Sequence, residues 1–500
     1  MFRSTVQAGT RRRGLASTCA VLAVAGAAVL TPGLSATAAP GASAGARVVQ
    51  AAPGPLMNYA VNVAQANRGQ TLKAERAIVA AGGSVIESYA EIGVVIAQSD
   101  NANFAAALRT EKSVASVGAT RTAPVAATDP TFGVHDPLAN GESGKGGTTP
   151  KRTAAPSVET PTNVTADPRE GEQWDMAAIG ATQAHQITDG SRNVLVAVLD
   201  SGIQGDHPDL AANIDASASA DCNSGVPDTS YAAWQPTTSD HGTHVAGTIA
   251  AARNGVGIVG VAPNVRLSSV KVVNDDGFIY PEAAICGFMY ATATGADVTN
   301  NSYYIDPWQF WCDNDADQAA VKMAVDRAVQ YSQQKGLVNV AAAGNSNIDL
   351  ANKTVDSSSP NDTTPVLRAI GTGGCEDIPA ELDGVVTVSS TTQTGERSSF
   401  SNYGLGVIDV AAPGSRILST VVNSGYGLKS GTSMASPHVA GVAALLKSTH
   451  PSTSGTALVT LLTEQANDVP CPAVASTCVG TPDDNGYFGE GLVDALEAVQ

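Results

Sequence analysis

Three polar residues set in small-residue motifs have the types needed for acyl transfer: Asp200, His241 and Ser433. Ser433 stands in GTSMASPHVAG, residues 431–441, which reads as a tight loop feeding the buried helix VAGVAALLK, with Pro437 in its first turn. At a helix start, free backbone N–H groups and the positive end of the macrodipole stabilise an oxygen that turns negative. A lone serine there is usually an ordinary N-cap. Here it has company: Asp200 ends the apolar run NVLVAVLD, and His241 opens SDHGTHVAGTIAA. Each lies at an element end, where a side chain can project into a shared cleft. A neutral hydroxyl is a poor nucleophile until a base within hydrogen-bond reach takes its proton, and that base needs a fixed tautomer. The spacing therefore casts Ser433 as nucleophile, His241 as general base and then acid, and Asp200 as the group that orients the imidazole.

The elements that must position these residues alternate along the second half of the chain. NVLVAVLD, VRLSSVKVV, DVTNNS, GLVNVAAAGN and GVVTVSS read as strands separated by helical stretches, after an entry helix over IGATQAH. Continuous Val-rich runs alternating with helices predict a parallel sheet buried on both faces, with its site at the carboxyl ends of strands, where Asp200 and Asn345 fall. A different pattern occupies residues 58–121: strand, helix, two strands, helix and strand, the β-α-β-β-α-β order of a ferredoxin-like split. Residues 123–171 are rich in Gly, Pro, Thr and Ser and read as a linker open to cleavage, unless part of it docks on the domain that follows.

The N-terminus carries an address. Arg11, Arg12 and Arg13 precede an apolar run and then SATAAP, the pattern of a secretory signal peptide over residues 1–38 with cleavage after Ala38. The run is too short for a membrane anchor, and the arginines match a twin-arginine signal only weakly. The expected location is extracellular. A net charge of -18, from 28 Lys and Arg against 46 Asp and Glu, excludes nucleic acid as a partner. Seven cysteines become six once Cys19 leaves, an even count that suits disulfides outside the cell. Cys471 with Cys478 is the expected local pair, and Cys222 with Cys286 and Cys312 with Cys375 the expected longer ones, although spacing alone does not decide connectivity. No cysteine or histidine spacing matches a zinc site, and His244 and His438 read as structural.

VAVLDSGI, HGTHVAGTIAA, VAAAGNS and GTSMASPHVAG together resemble the subtilisin-type serine proteases, over about residues 173–500. The resemblance implies an α/β fold, a subtilisin-like parallel sheet with helices on both faces, preceded by a small ferredoxin-like α+β domain. It also implies a secreted serine endopeptidase made as a self-processed precursor, with a propeptide over 57–122 that inhibits and chaperones, a linker over 123–172 and a catalytic domain over 173–500. Asn345 would donate its side-chain amide, with the Ser433 N–H, to the oxyanion. Ser302, Tyr303, Tyr304 and Gly344 fall where the family forms its primary specificity pocket. Asp275, Asp276 and Glu282 lie near the expected upstream subsites, where they would favour basic residues or simply be solvated. The chemistry needs no cofactor. A structural calcium is the one ion implied, with Asp209 and Asn254 at the matching positions. Expected partners are protein or peptide substrates and the chain's own propeptide, with no nucleic acid and no membrane, and the mature enzyme is expected to be a monomer. The rival reading, a catalytically silent binding protein on the same fold, finds no support, because all four chemical residues are present.

Overall fold

The computed structural model describes residues 54–131 and 165–500; the signal-peptide segment and most of the linker lie outside the described residues. Strands β1 (Met57–Val63), β2 (Ser84–Tyr89), β3 (Val94–Ser99) and β4 (Val114–Ala119), with helices α1 (Arg68–Ala80) and α2 (Phe104–Leu108), follow the split order read from the sequence. The sheet runs β2-β3-β1-β4, with β1 antiparallel to both neighbours. The Asn67 side chain caps α1 by accepting from the Gln70 N–H.

The large sheet has seven strands. Inside it lies β5 (Leu195–Asp200), flanked on one side by β7 (Arg266–Lys271) and then β6 (Ala220–Asp221). On the other side come β8 (Val298–Asn301) and the strands Val338–Ala342, Val386–Thr391 and Val410–Pro413, and every pairing is parallel. The two edge strands, β6 and Val410–Pro413, are the ones the sequence reading had missed. They are short, and their apolar runs are too brief to signal.

Both faces of the sheet are covered because β5 is apolar on both. Val196 and Val198 enter one core with the helices His241–Ala250 and Thr432–Thr449. Leu195, Ala197 and Leu199 enter the other, with the helices Pro281–Thr294 and Ala316–Gln334. That second core also takes in Ala60, Ile86, Val94 and Ile96, so the small N-terminal sheet rests on those same two helices. The site-bearing helices lie on the opposite face.

Two local features differ from the sequence reading, and a third, the docking of residues 123–131, is the alternative that reading left open. The entry helix is two short ones, Trp174–Ala178 and Ala181–Ala184, divided at Gly180, whose φ of 69° an L side chain rarely adopts. Residues 123–131 are docked: Val125 N–H donates to Leu56 O at 2.8 Å and Ala123 N–H to Asp362 Oδ2 at 2.9 Å. The Ser433 helix begins at Thr432, so Pro437 sits in its second turn. Pro437 lacks the N–H that would bond the Ser433 carbonyl, and the Ser302 hydroxyl donates to that carbonyl instead, at 3.0 Å. The three disulfides are Cys222–Cys286, Cys312–Cys375 and Cys471–Cys478, the expected pairs.

Candidate active site

Asp200 and His241 meet. Asp200 is the last residue of β5 and is 2% exposed, while His241 is the first residue of its helix. The imidazole Nδ1 lies 2.9 Å from both carboxylate oxygens. The Ser201 N–H donates to Asp200 Oδ1 at 2.7 Å, and the Ser201 hydroxyl accepts from the Gly242 N–H at 3.0 Å, tying strand end to helix start. Gly242 is required there: a Cβ would stand 2.5 Å from Gly202 O and 3.1 Å from Asp200 Oδ1. Burial disfavours the His241 cation, but the attraction and hydrogen bond of Asp200 outweigh it and hold the imidazole above its ordinary value.

Ser433 is the second residue of the helix Thr432–Thr449, not its cap. Its hydroxyl donates to the Ser302 carbonyl at 3.1 Å, and no hydrogen bond joins it to His241 among the described residues. Asn345 follows the strand Val338–Ala342. Its Oδ1 accepts from the Thr432 N–H at 2.8 Å and from the Thr432 hydroxyl at 3.0 Å, which leaves its amide NH₂ to point elsewhere. A Cβ placed on Gly431 would lie 3.6 Å from both Asn345 Nδ2 and the Ser433 N. The Asn345 side chain and the Ser433 N–H are thus neighbours at the start of the serine's helix.

A cavity of about 330 Å³ adjoins this spot. All four residues assigned to the pocket from the sequence, Ser302, Tyr303, Tyr304 and Gly344, line it, as do Asn345 and Ser433. The Tyr303 hydroxyl is turned inward to Asn301 Oδ1 at 3.0 Å, so this residue presents ring rather than oxygen. Tyr304 accepts from Asn361 Nδ2 at 3.0 Å. Asp306, the last residue of the stretch NNSYYID that the resemblance places at this wall, also lines the cavity, as do Asn361 and Asp377, which the sequence reading did not single out. They sit in loops without periodicity, and only burial beside the site singles them out.

The remaining titratable residues are accounted for by structure. His244 is buried, its Nε2 against the Ile417 and Gly427 carbonyls, and burial pushes it down to about 4. His438 reaches the Met434 carbonyl at 2.8 Å and Asp175 Oδ2 at 3.0 Å. Asp275 pairs with Lys271 at 3.5 Å. Glu282 faces the N-terminal domain, paired with Arg121 and accepting from Asn58 Nδ2 at 2.8 Å.

At the proposed calcium position the residues fit only in part. Asp209 Oδ1 is buried without a partner, as a hard cation's ligand would be, while Oδ2 accepts from the Ile258 N–H at 3.0 Å. Asn254 is spent on its own turn, its Oδ1 taking the Val256 N–H at 3.0 Å and its Nδ2 donating to Pro208 O at 3.1 Å. Among the described residues no group of three or more His, Cys, Asp or Glu is arranged for a metal.

The description that matches this chain is the subtilase family, over residues 191–491. Subtilisin DY of Bacillus licheniformis is 33% identical over 311 residues, covering 62% of this chain and 91% of that protein. Subtilisin E of Bacillus subtilis (strain 168) is 34% identical over 327 residues, 65% of this chain and 71% of that one. Among solved structures, the epidermin leader peptide processing serine protease of Staphylococcus aureus superposes with a TM-score of 0.63 at 22% identity, over 89% of this chain and 98% of its own. A protease of Pseudoalteromonas arctica PAMC 21717 superposes with a TM-score of 0.52 at 29% identity, over 67% of this chain and 99% of its own. Fold and family define a serine endopeptidase acting on proteins or peptides. The chain belongs to the subtilase family. No helix among the described residues is long and apolar enough to cross a membrane.

Proposed function

We propose that this protein is a secreted, monomeric endopeptidase that hydrolyses peptide bonds through an acyl-enzyme, with Ser433, His241 and Asp200 as its triad, and that it matures by its own activity. The observation that carries this reading is the Asp200–His241 pair, 2.9 Å apart with the carboxylate buried, on the face of the sheet where the His241 helix and the helix that opens with Thr432 and Ser433 share one core.

For the reaction, the Ser433 hydroxyl leaves the Ser302 carbonyl, to which it donates at 3.1 Å, and donates instead to His241 Nε2. His241 takes the proton as Oγ attacks the carbonyl carbon, and Asp200 stabilises the resulting imidazolium while fixing Nδ1 as the protonated nitrogen. The carbonyl oxygen, now negative, receives the Ser433 N–H and the Asn345 amide. His241 then returns the proton to the departing amine, the C–N bond breaks, and the acyl group stays on Ser433. Water, activated by the same imidazole, releases it. No step requires a metal. Of the two residues expected to hold a structural calcium, Asp209 alone would offer it a free oxygen, and the ion would serve stability rather than the reaction.

The N-terminal domain, residues 57–122, acts in this reading as intramolecular inhibitor and chaperone. Its support is the buried ion pairing of Arg121 with Glu282 and Asp129, beneath a cation–π contact of 3.8 Å to Tyr280.

Expression of the full chain beside Ser433→Ala tests the whole proposal. The wild type should shorten on a gel and hydrolyse casein, and the variant should persist as a precursor. Equal shortening of both would refute self-processing, and absence of peptidase activity from a folded wild type would refute the triad.

A further inference from the structure

The cavity beside Ser433 has an electrostatic character that neither the family nor the conserved-looking motifs announce. Two carboxylates line it, Asp306 and Asp377, and no Lys, Arg or His does. The two are not equivalent. Asp306 is satisfied internally: Oδ1 accepts from Asn361 Nδ2 and Oδ2 from the Ile279 N–H, both at 2.6 Å. Asp377 is 2% exposed, yet no donor among the described residues reaches its carboxylate.

The nearest cation does not serve Asp377. Lys353 donates to Glu381 Oε1 and to the Leu350 carbonyl, so its charge is already matched. Glu381 in turn uses Oε2 to accept from the Asp377 N–H at 2.6 Å, which fixes the backbone of residue 377 and leaves its side chain free. The Asp377 carboxylate lies against the strand-end backbone that delivers Asn345: a Cβ on Gly344 would stand 3.7 Å from Asp377 Oδ2. An ionised carboxylate buried without a partner is costly, so such a group stays neutral until a cation is brought against it, and this one lines an open cavity where a cation can arrive.

We propose that this cavity receives the side chain of an arginine, or less favourably a lysine, immediately before the scissile bond, and that Asp377 is the carboxylate that pairs with it. The inference rests on the catalytic reading of Ser433 above. A guanidinium suits the place better than an ammonium, because its planar fork can meet a carboxylate through two hydrogen bonds. Tyr303 and Tyr304 line the same cavity and offer apolar surface to the aliphatic stem, and Asp306 adds negative potential. In the empty pocket, burial first and then the nearby Glu381 push the Asp377 carboxyl well up, with Lys353 opposing, so an incoming cation would draw its proton off. An apolar side chain, by contrast, would seal that carboxyl away from both water and any partner.

The test uses the full chain, a series of peptide p-nitroanilides identical upstream with Arg, Lys, Phe, Leu or Glu before the cleaved bond, and a fluorophosphonate to count reactive Ser433. The wild type should favour Arg over Phe in kcat/KM by roughly 10²-fold or more, with Lys between them. In the isosteric Asp377→Asn, the Arg-to-Phe ratio should fall by roughly 10²- to 10³-fold at an equal labelled fraction. A labelled wild type that prefers Phe or Leu overturns the pocket assignment and leaves the triad standing. So does an Asp377→Asn enzyme with the wild-type ratio. A folded wild type that neither labels nor cleaves any anilide instead defeats the catalytic reading on which this one rests. If Asp377→Asn does not fold, the wild-type series decides alone.

Discussion

Removing Arg121 tests how the N-terminal domain is held to the rest of the molecule. Its guanidinium is 2% exposed and stands between Glu282, whose side chain is fully buried, and Asp129. It also stacks on Tyr280 at 3.8 Å. Arg121→Ala leaves Glu282 buried with one remaining donor, Asn58 Nδ2, while Oε2 already lacks a partner. Breaking a buried pair from one side costs about 3–5 kcal/mol, and a desolvated cation–π contact contributes about 2 kcal/mol more. Part of that is recovered as Glu282 takes up a proton or water, so about 3–5 kcal/mol is the working figure, or roughly 10²- to 10⁴-fold in the opening equilibrium. The assay is amide hydrogen exchange on the Ser433→Ala precursor, which keeps the domain attached, read at β1 and β4. Those amides should exchange faster by that factor, while amides of β5 should not change. Adding Glu282→Gln should restore part of the protection, because the stranded charge is gone. Unchanged exchange in Arg121→Ala would show that the apolar contacts of Ile86, Val94 and Ile96 hold the domain unaided, and the argument from buried charge would fail.

Three more outcomes follow from the site. Asn345→Ala should lower kcat by about 10²–10³ with KM little changed, the magnitude already known for this donor in subtilisins; an unaltered kcat would remove Asn345 from the oxyanion site. Because Asp200 holds the His241 imidazole above its usual 6.5 against the pull of burial, and only the neutral ring is a base, kcat/KM on a substrate without titrating groups should rise with pH along a limb centred above 6.5. Asp200→Asn should move that limb down and reduce kcat by about 10⁴; a limb that stays in place would separate the two residues. A chelator should lower the melting temperature of the wild type and leave that of Asp209→Asn unaffected, whereas equal melting temperatures with and without chelator in the wild type would dismiss a bound cation.

The fold was largely legible in the chain because its signals are local. Val-rich runs such as LVAVLD can be buried on both faces, so they predicted a parallel sheet, and the observed order places β5 inside it, with strands on both sides. The β-α-β-β-α-β reading of the first domain likewise depended on period and punctuation within a few residues. The misreadings were non-local. A proline at 437 looked like the start of a helix, yet the helix starts at Thr432, because Ser302, 131 positions away, replaces the missing donor.

What the sequence alone determined is the inventory: which residues end strands and open helices, the alternation that makes a doubly covered sheet, and which chemical groups are available. Only the tertiary structure decided which of them meet. Asp200 and His241 are 41 positions apart, and their 2.9 Å contact exists because a buried strand and a helix N-terminus converge at a glycine that lacks a Cβ. Asp377 carried no signal at all in CEDIPAEL, since a carboxylate acquires meaning from the partners it lacks, and that absence is a property of the packed neighbourhood rather than of any string of residues.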